Sequence, residues 1–101
     1  MTPRFIRTVR TGSSERFVLQ NSDGADCGAL DLHHLSNGSV AGTLFILEGS
    51  GISESEVPSL LNRIDEDLLP DVSISAETLS FTVVIGRIAG NFVSDKPVRV
   101  Q

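Results

Sequence analysis

RFVLQNSDGADCGALDLHHLSNGSVAGTLFILE, residues 16 to 48, decides the fold. Two turn dipeptides, Asp23-Gly24 and Asn37-Gly38, divide it into three apolar runs. Asp-Gly and Asn-Gly favour tight hairpin loops because both central residues of a type I′ turn need positive φ. With two-residue loops, Phe17 faces Leu30, Leu19 faces Gly28 and Arg16 faces Asp31. Across the second loop, Leu30 faces Phe45, Leu32 faces Thr43 and His33 faces Gly42. Side chains alternate along a strand, so the two registers together place Phe17, Leu19, Leu30, Leu32, Phe45 and Leu47 on one face. A three-stranded antiparallel meander is expected.

Upstream, residues 4–10 (RFIRTVR) are basic and β-permissive, an edge strand or a frayed arm, ended by Thr11-Gly12-Ser13-Ser14. Downstream, Gly49-Ser50-Gly51 separates the meander from a helical pattern. Ser53 and Glu56 have the spacing of a capping box, with Ile52 and Val57 as its staple. Val57, Leu60, Leu61, Ile64 and Leu68 form one apolar stripe at helical spacing. Pro58 belongs in a first helical turn, which conflicts with Ser53 as cap and favours a helix over about 55–68, ended by Pro70. After it, 72–76 and 79–88 read as strands. Gly86 and Gly90 suggest a bulge or bend, and Val98 and Val100 a last short edge strand. The expected fold class is α+β: an antiparallel sheet (three-stranded meander, then helix, then one or two further strands) with one helix packed on one face.

The chain has 101 residues, enough for one domain, 1–101, with its own core. Apolar residues are 40% and charged residues 21%, ordinary globular usage. No apolar run approaches the roughly 18 residues of a membrane span, and the first residues lack the apolar region of a signal peptide, so no membrane partner is expected. Net charge is −5 and there is no Trp or Tyr, which argues against nucleic acid as a partner. Cys27 is the single cysteine, which excludes an internal disulfide and a Cys-rich zinc site and fits a reducing compartment; a cytoplasmic location is expected.

Four constellations are weighed for chemistry. By the expected register, Cys27, Asp31 and His33 share the outer face of the hairpin, residue types suited to metal ligation or catalysis. The structural reading of the same residues is an ordinary Arg16–Asp31 cross-strand pair, with His34 turned into the core. Glu48-Gly49-Ser50-Gly51-Ile52-Ser53 leads into a helix N-terminus, where backbone N–H groups attract anions. It has neither the spacing nor the Lys of a phosphate loop, and Glu48, Glu54 and Glu56 repel phosphate. Asp65-Glu66-Asp67 in the last helical turn is a solvated surface or a contact for a basic partner. Finally, Val18, Val40, Leu44 and Ile46 fall on the outer face, which one helix cannot cover, unless residues 1–10 or 90–101 lie across it. The sequence therefore favours a non-catalytic domain acting by self-association or partner binding through that face. No cofactor is expected, and the partner is itself or another protein. A small enzyme or metal protein using Asp31, His33 and Cys27 is the alternative, and an acidic surface occupying a basic partner site is the second.

Overall fold

The computed structural model describes residues 3–69 and 79–94. Strands β1 (Arg4–Arg10), β2 (Ser14–Gln20), β3 (Asp26–His34) and β4 (Val40–Leu47) run antiparallel in sequence order. A 3-10 turn (Glu54–Glu56), helix α1 (Val57–Leu68) and strand β5 (Leu79–Gly86) follow. β5 lies beside β4 and parallel to it. The expected antiparallel sheet is therefore a mixed one. The cause is the helix itself: a crossover long enough to hold α1 returns the chain to the end of the sheet where β4 began. The expected strands at 72–76 and at Val98 and Val100 lie outside the described residues.

The basic segment 4–10 is an edge strand. Its register on β2 shifts at Thr8, between Arg7↔Phe17 and Val9↔Arg16, which makes a bulge. The Thr8 hydroxyl donates to the carbonyl of Arg16. Two links tie this edge to the helix: Arg63 donates to the carbonyl of Pro3 at 2.9 Å and stacks over the Phe5 ring, 5.0 Å from its centroid.

Both hairpin loops hold three residues rather than the expected two. In the first, Asn21 N–H bonds Ala25 O and Gly24 N–H bonds Asn21 O; in the second, Leu35 N–H bonds Ser39 O and Gly38 N–H bonds Leu35 O. Gly24 and Gly38 have φ of 81° and 87°. This is the turn-plus-left-handed-residue loop, which shifts the register by one relative to a two-residue loop. On β2–β3 the shift is undone. Gln20 pairs with Asp26 and Leu19 with Gly28, so Cys27 is an extra residue, and beyond it the expected pairs Phe17↔Leu30 and Arg16↔Asp31 are present. No such bulge interrupts β3–β4. There Leu30 pairs with Leu44, Leu32 with Gly42 and His33 with Ala41.

A one-residue slip exchanges the faces of a strand. Val40, Leu44 and Ile46 therefore join Phe17, Leu19, Leu30 and Leu32 in the core, while Phe45 and Leu47 turn away from it. Gly42 completes the inner face; a Cβ there would strike the Phe81 ring. Leu60 and Ile64 of α1, with Ile52 and Leu69 at its flanks, close the core from one side. The helix start accommodates both conflicting signals. Ser53 begins the 3-10 turn and its N–H donates to the Glu56 carboxylate at 3.3 Å. α1 proper starts at Val57, so Pro58 stands in its first turn, where no N–H is needed.

Candidate functional site

α1 covers one face of the sheet only. The register defines what the other face carries. Ile6 pairs with Val18, Val18 with Ala29, Ala29 with Phe45, and Phe45 with Val84. All five alternate away from the core residues beside them, so they form one apolar row running across every strand. At about 4.8 Å per strand the row is roughly 19 Å long. Val18, Ala29 and Phe45 are half-buried by their neighbours, while Ile6 and Val84 at the two ends are 38% and 41% exposed. The next row is Val9, Arg16, Asp31, Thr43 and Thr82. It is mixed in polarity and carries both signs of charge.

Arg16 and Asp31 make a two-pronged ion pair in that row, at 2.8 Å from Nε and 3.2 Å from Nη2. The Asp31 carboxylate holds the Arg16 guanidinium above its ordinary pKa, by hydrogen bond first and by charge second. His33 stands beside Ser14, its Nδ1 3.0 Å from the hydroxyl. The expected trio of Cys27, Asp31 and His33 is not assembled. The bulge turns Cys27 inward, where its thiol is buried and donates to the carbonyl of Leu19 at 3.3 Å. Burial, and secondarily the charge of Asp26, raises its pKa. Among the described residues no group of three or more His, Cys, Asp or Glu side chains is placed to hold a metal ion.

The four residues expected at an interface are also divided. Val18 lies on the open face; Val40, Leu44 and Ile46 are core residues. Of the residues that replace them, Phe45 turns outward once the Asn37-Gly38 loop is given three residues, Ala29 and Val84 follow from alternation with Leu30 and Val83, and Ile6 from the pairing of β1 with β2. Of the acidic run, Glu66 and Asp67 are exposed, whereas Asp65 is half-buried with one carboxylate oxygen lacking a hydrogen-bond partner among the described residues. Gly49 and Gly51 have φ of 75° and 90° and bend the chain between β4 and the helix. His34 lies on the core side, its Nε2 3.2 Å from Glu15. Glu15 is itself buried and also pairs with Arg7 at 3.0 Å.

No family model, curated protein or solved structure matches this chain. The fold defines a class: a small α+β domain with a five-stranded mixed sheet, one face of which carries no helix among the described residues. Among the described residues no helix is long and apolar enough to cross a membrane.

Proposed function

We propose that this domain is non-catalytic and works by association, with the open sheet face as its contact surface. The observation that supports this reading is the continuous row Ile6–Val18–Ala29–Phe45–Val84. An apolar stripe across a whole sheet, with a row of mixed polarity beside it, is the composition of a contact surface rather than of a solvated one. A second copy is the occupant the charges favour. The neighbouring row pairs Arg16 with Asp31, so two such faces meet without a surplus of either sign.

The test is sedimentation equilibrium on the double variant Ile6→Glu, Val84→Glu. Both sites are partly exposed, so the change leaves the fold intact by circular dichroism. Association of the wild-type chain that this variant loses supports the reading. Association unaltered by the two glutamates, or none in the wild type, overturns it.

A further inference from the structure

The two edges of the sheet are built differently. β1 carries Arg4, Arg7 and Arg10 and a bulge at Thr8. Charge and bulges are the usual means by which an edge strand is kept from pairing with another chain. β5, LSFTVVIG, has no charged residue, no proline and no bulge in its register with β4. It runs parallel to β4, and strands in parallel pairing normally lie inside a sheet, apolar on both faces. β5 shares this character on its core side, where Leu79, Phe81, Val83 and Ile85 are all apolar, while Ser80 and Thr82 stand on the open face; yet among the described residues it is an edge.

Its backbone shows which groups are free. Gly86 accepts a hydrogen bond from the N–H of Glu48, at 2.7 Å, so Gly86 points toward β4. By alternation the N–H and C=O groups of Leu79, Phe81, Val83 and Ile85 point to the open edge. The side chains of these same four residues face the core side, where α1 covers them incompletely. Leu79, Phe81 and Val83 are half-buried and Ile85 is 41% exposed. Directly after β5 comes an arm, residues 87–94, with Phe92 93% and Val93 88% exposed.

We infer that β5 pairs antiparallel with β5 of a second copy about a twofold axis normal to the sheet, and that the arm after Gly86 packs on that copy. Antiparallel symmetry makes each strand its own complement, so the residues that point outward on one copy meet those on the other. Opposite pairs then share a face. With Thr82 at the twofold, Phe81 lies against the partner's Val83 and Leu79 against the partner's Ile85. The apolar core thus continues from one copy into the next, covering Ile85. Pairing through β1 instead would set arginines against arginines. An edge alone buries too little for a stable dimer, which needs about 1,000 Å² in total. The arm adds to it, since antiparallel pairing carries it past the start of the partner's β5, and a buried aromatic contributes roughly 150–250 Å². This surface is distinct from the open face and rests on separate observations. The twofold also places the open faces of both copies on the same side of a ten-stranded sheet.

Sedimentation velocity and hydrogen exchange on the full chain test it together. The expected result is a dimer of the 10.8 kDa chain, with the amides of Phe81 and Val83 exchanging more slowly as protein concentration rises. Ile85→Lys, which places a charge at the edge, gives a folded monomer. Phe92→Asp, at a site exposed in the monomer, weakens the dimer at least about tenfold, the loss of a modest hot spot. A monomer at every concentration overturns the inference, as does a dimer that survives both substitutions. So do β5 amides protected equally at all concentrations, which would mean the chain covers its own edge. A dimer lost only in Ile6→Glu, Val84→Glu places association on the open face and refutes pairing through β5.

Discussion

Leu44 lies directly opposite Leu30 on the neighbouring strand, and both side chains point toward α1 with no exposed surface. That pairing fixes the face of every other β4 residue. It also turns a position expected at an interface into a structural one. Leu44→Ala should cost about 2–5 kcal/mol in urea unfolding, the range for a large apolar side chain removed from a packed core. Leu44→Asp should leave no folded monomer, because an unpaired carboxylate would be buried among Leu30, Leu32 and Ile46. A folded, merely dissociated Leu44→Asp protein would place β4 one residue out of register.

The register depends on a single conformational feature at Gly38, whose φ is 87°. A Cβ there meets no atom within 4 Å, so the cost of a side chain is that of the left-handed backbone alone. Gly38→Ala should therefore destabilise by about 1–2 kcal/mol, and Gly38→Val by more, since a β-branched residue is least tolerant of positive φ. Gly12 has equally open surroundings and no positive φ. Gly12→Ala should be close to neutral in the same denaturation experiment, and equal losses at the two sites would remove the argument from backbone conformation.

Periodicity and capping make the helix, the meander and the positions of its turns legible in the sequence. The stripe from Val57 to Leu68 fits only a helix, and its last residue is the observed one. Hairpin loop length was not legible. Asp-Gly and Asn-Gly suit both the two-residue loop and the three-residue one, and the two differ by one residue of register. At β2–β3 the bulge at Cys27 hides the difference, because a three-residue loop with the bulge gives the same Phe17↔Leu30 pair as a two-residue loop without it. At β3–β4 nothing compensates, and the apolar residues of β4 sit on both parities: Val40, Leu44 and Ile46 on one, Phe45 and Leu47 on the other. Pattern alone cannot choose between two apolar faces. The same ambiguity exchanges Val40, Leu44 and Ile46 for Phe45 as the β4 residues of the open face. The parallel placement of β5 was implicit in the helix that precedes it, but the strand it would join was not.

Cys27 offers a test of the bulge that is independent of mutation. As the extra residue of β3 it turns inward, its thiol donating to Leu19 O in a buried site. Desolvation disfavours the thiolate, and the nearby Asp26 carboxylate disfavours it further, so the folded-state pKa lies above the ordinary thiol value. An acid whose pKa is raised by folding is stabilised below its unfolded pKa and loses that contribution as pH rises. The stability of the wild-type chain should therefore begin to fall above about pH 8.5, the unfolded thiol value, and continue falling until the folded-state pKa is reached. Cys27→Ser removes the titration, and its stability should be flatter over the same alkaline range, though lower at neutral pH for want of a well-packed sulfur. Alkylation with iodoacetamide follows the same logic. In native buffer the reaction should be slowed to the rate of local opening, and in denaturing urea it should proceed at the rate of a free thiol. Rapid native alkylation, or an alkaline profile identical in wild type and Cys27→Ser, would put Cys27 on the open face beside Asp31 and His33 and remove the bulge that sets the register of β2 on β3.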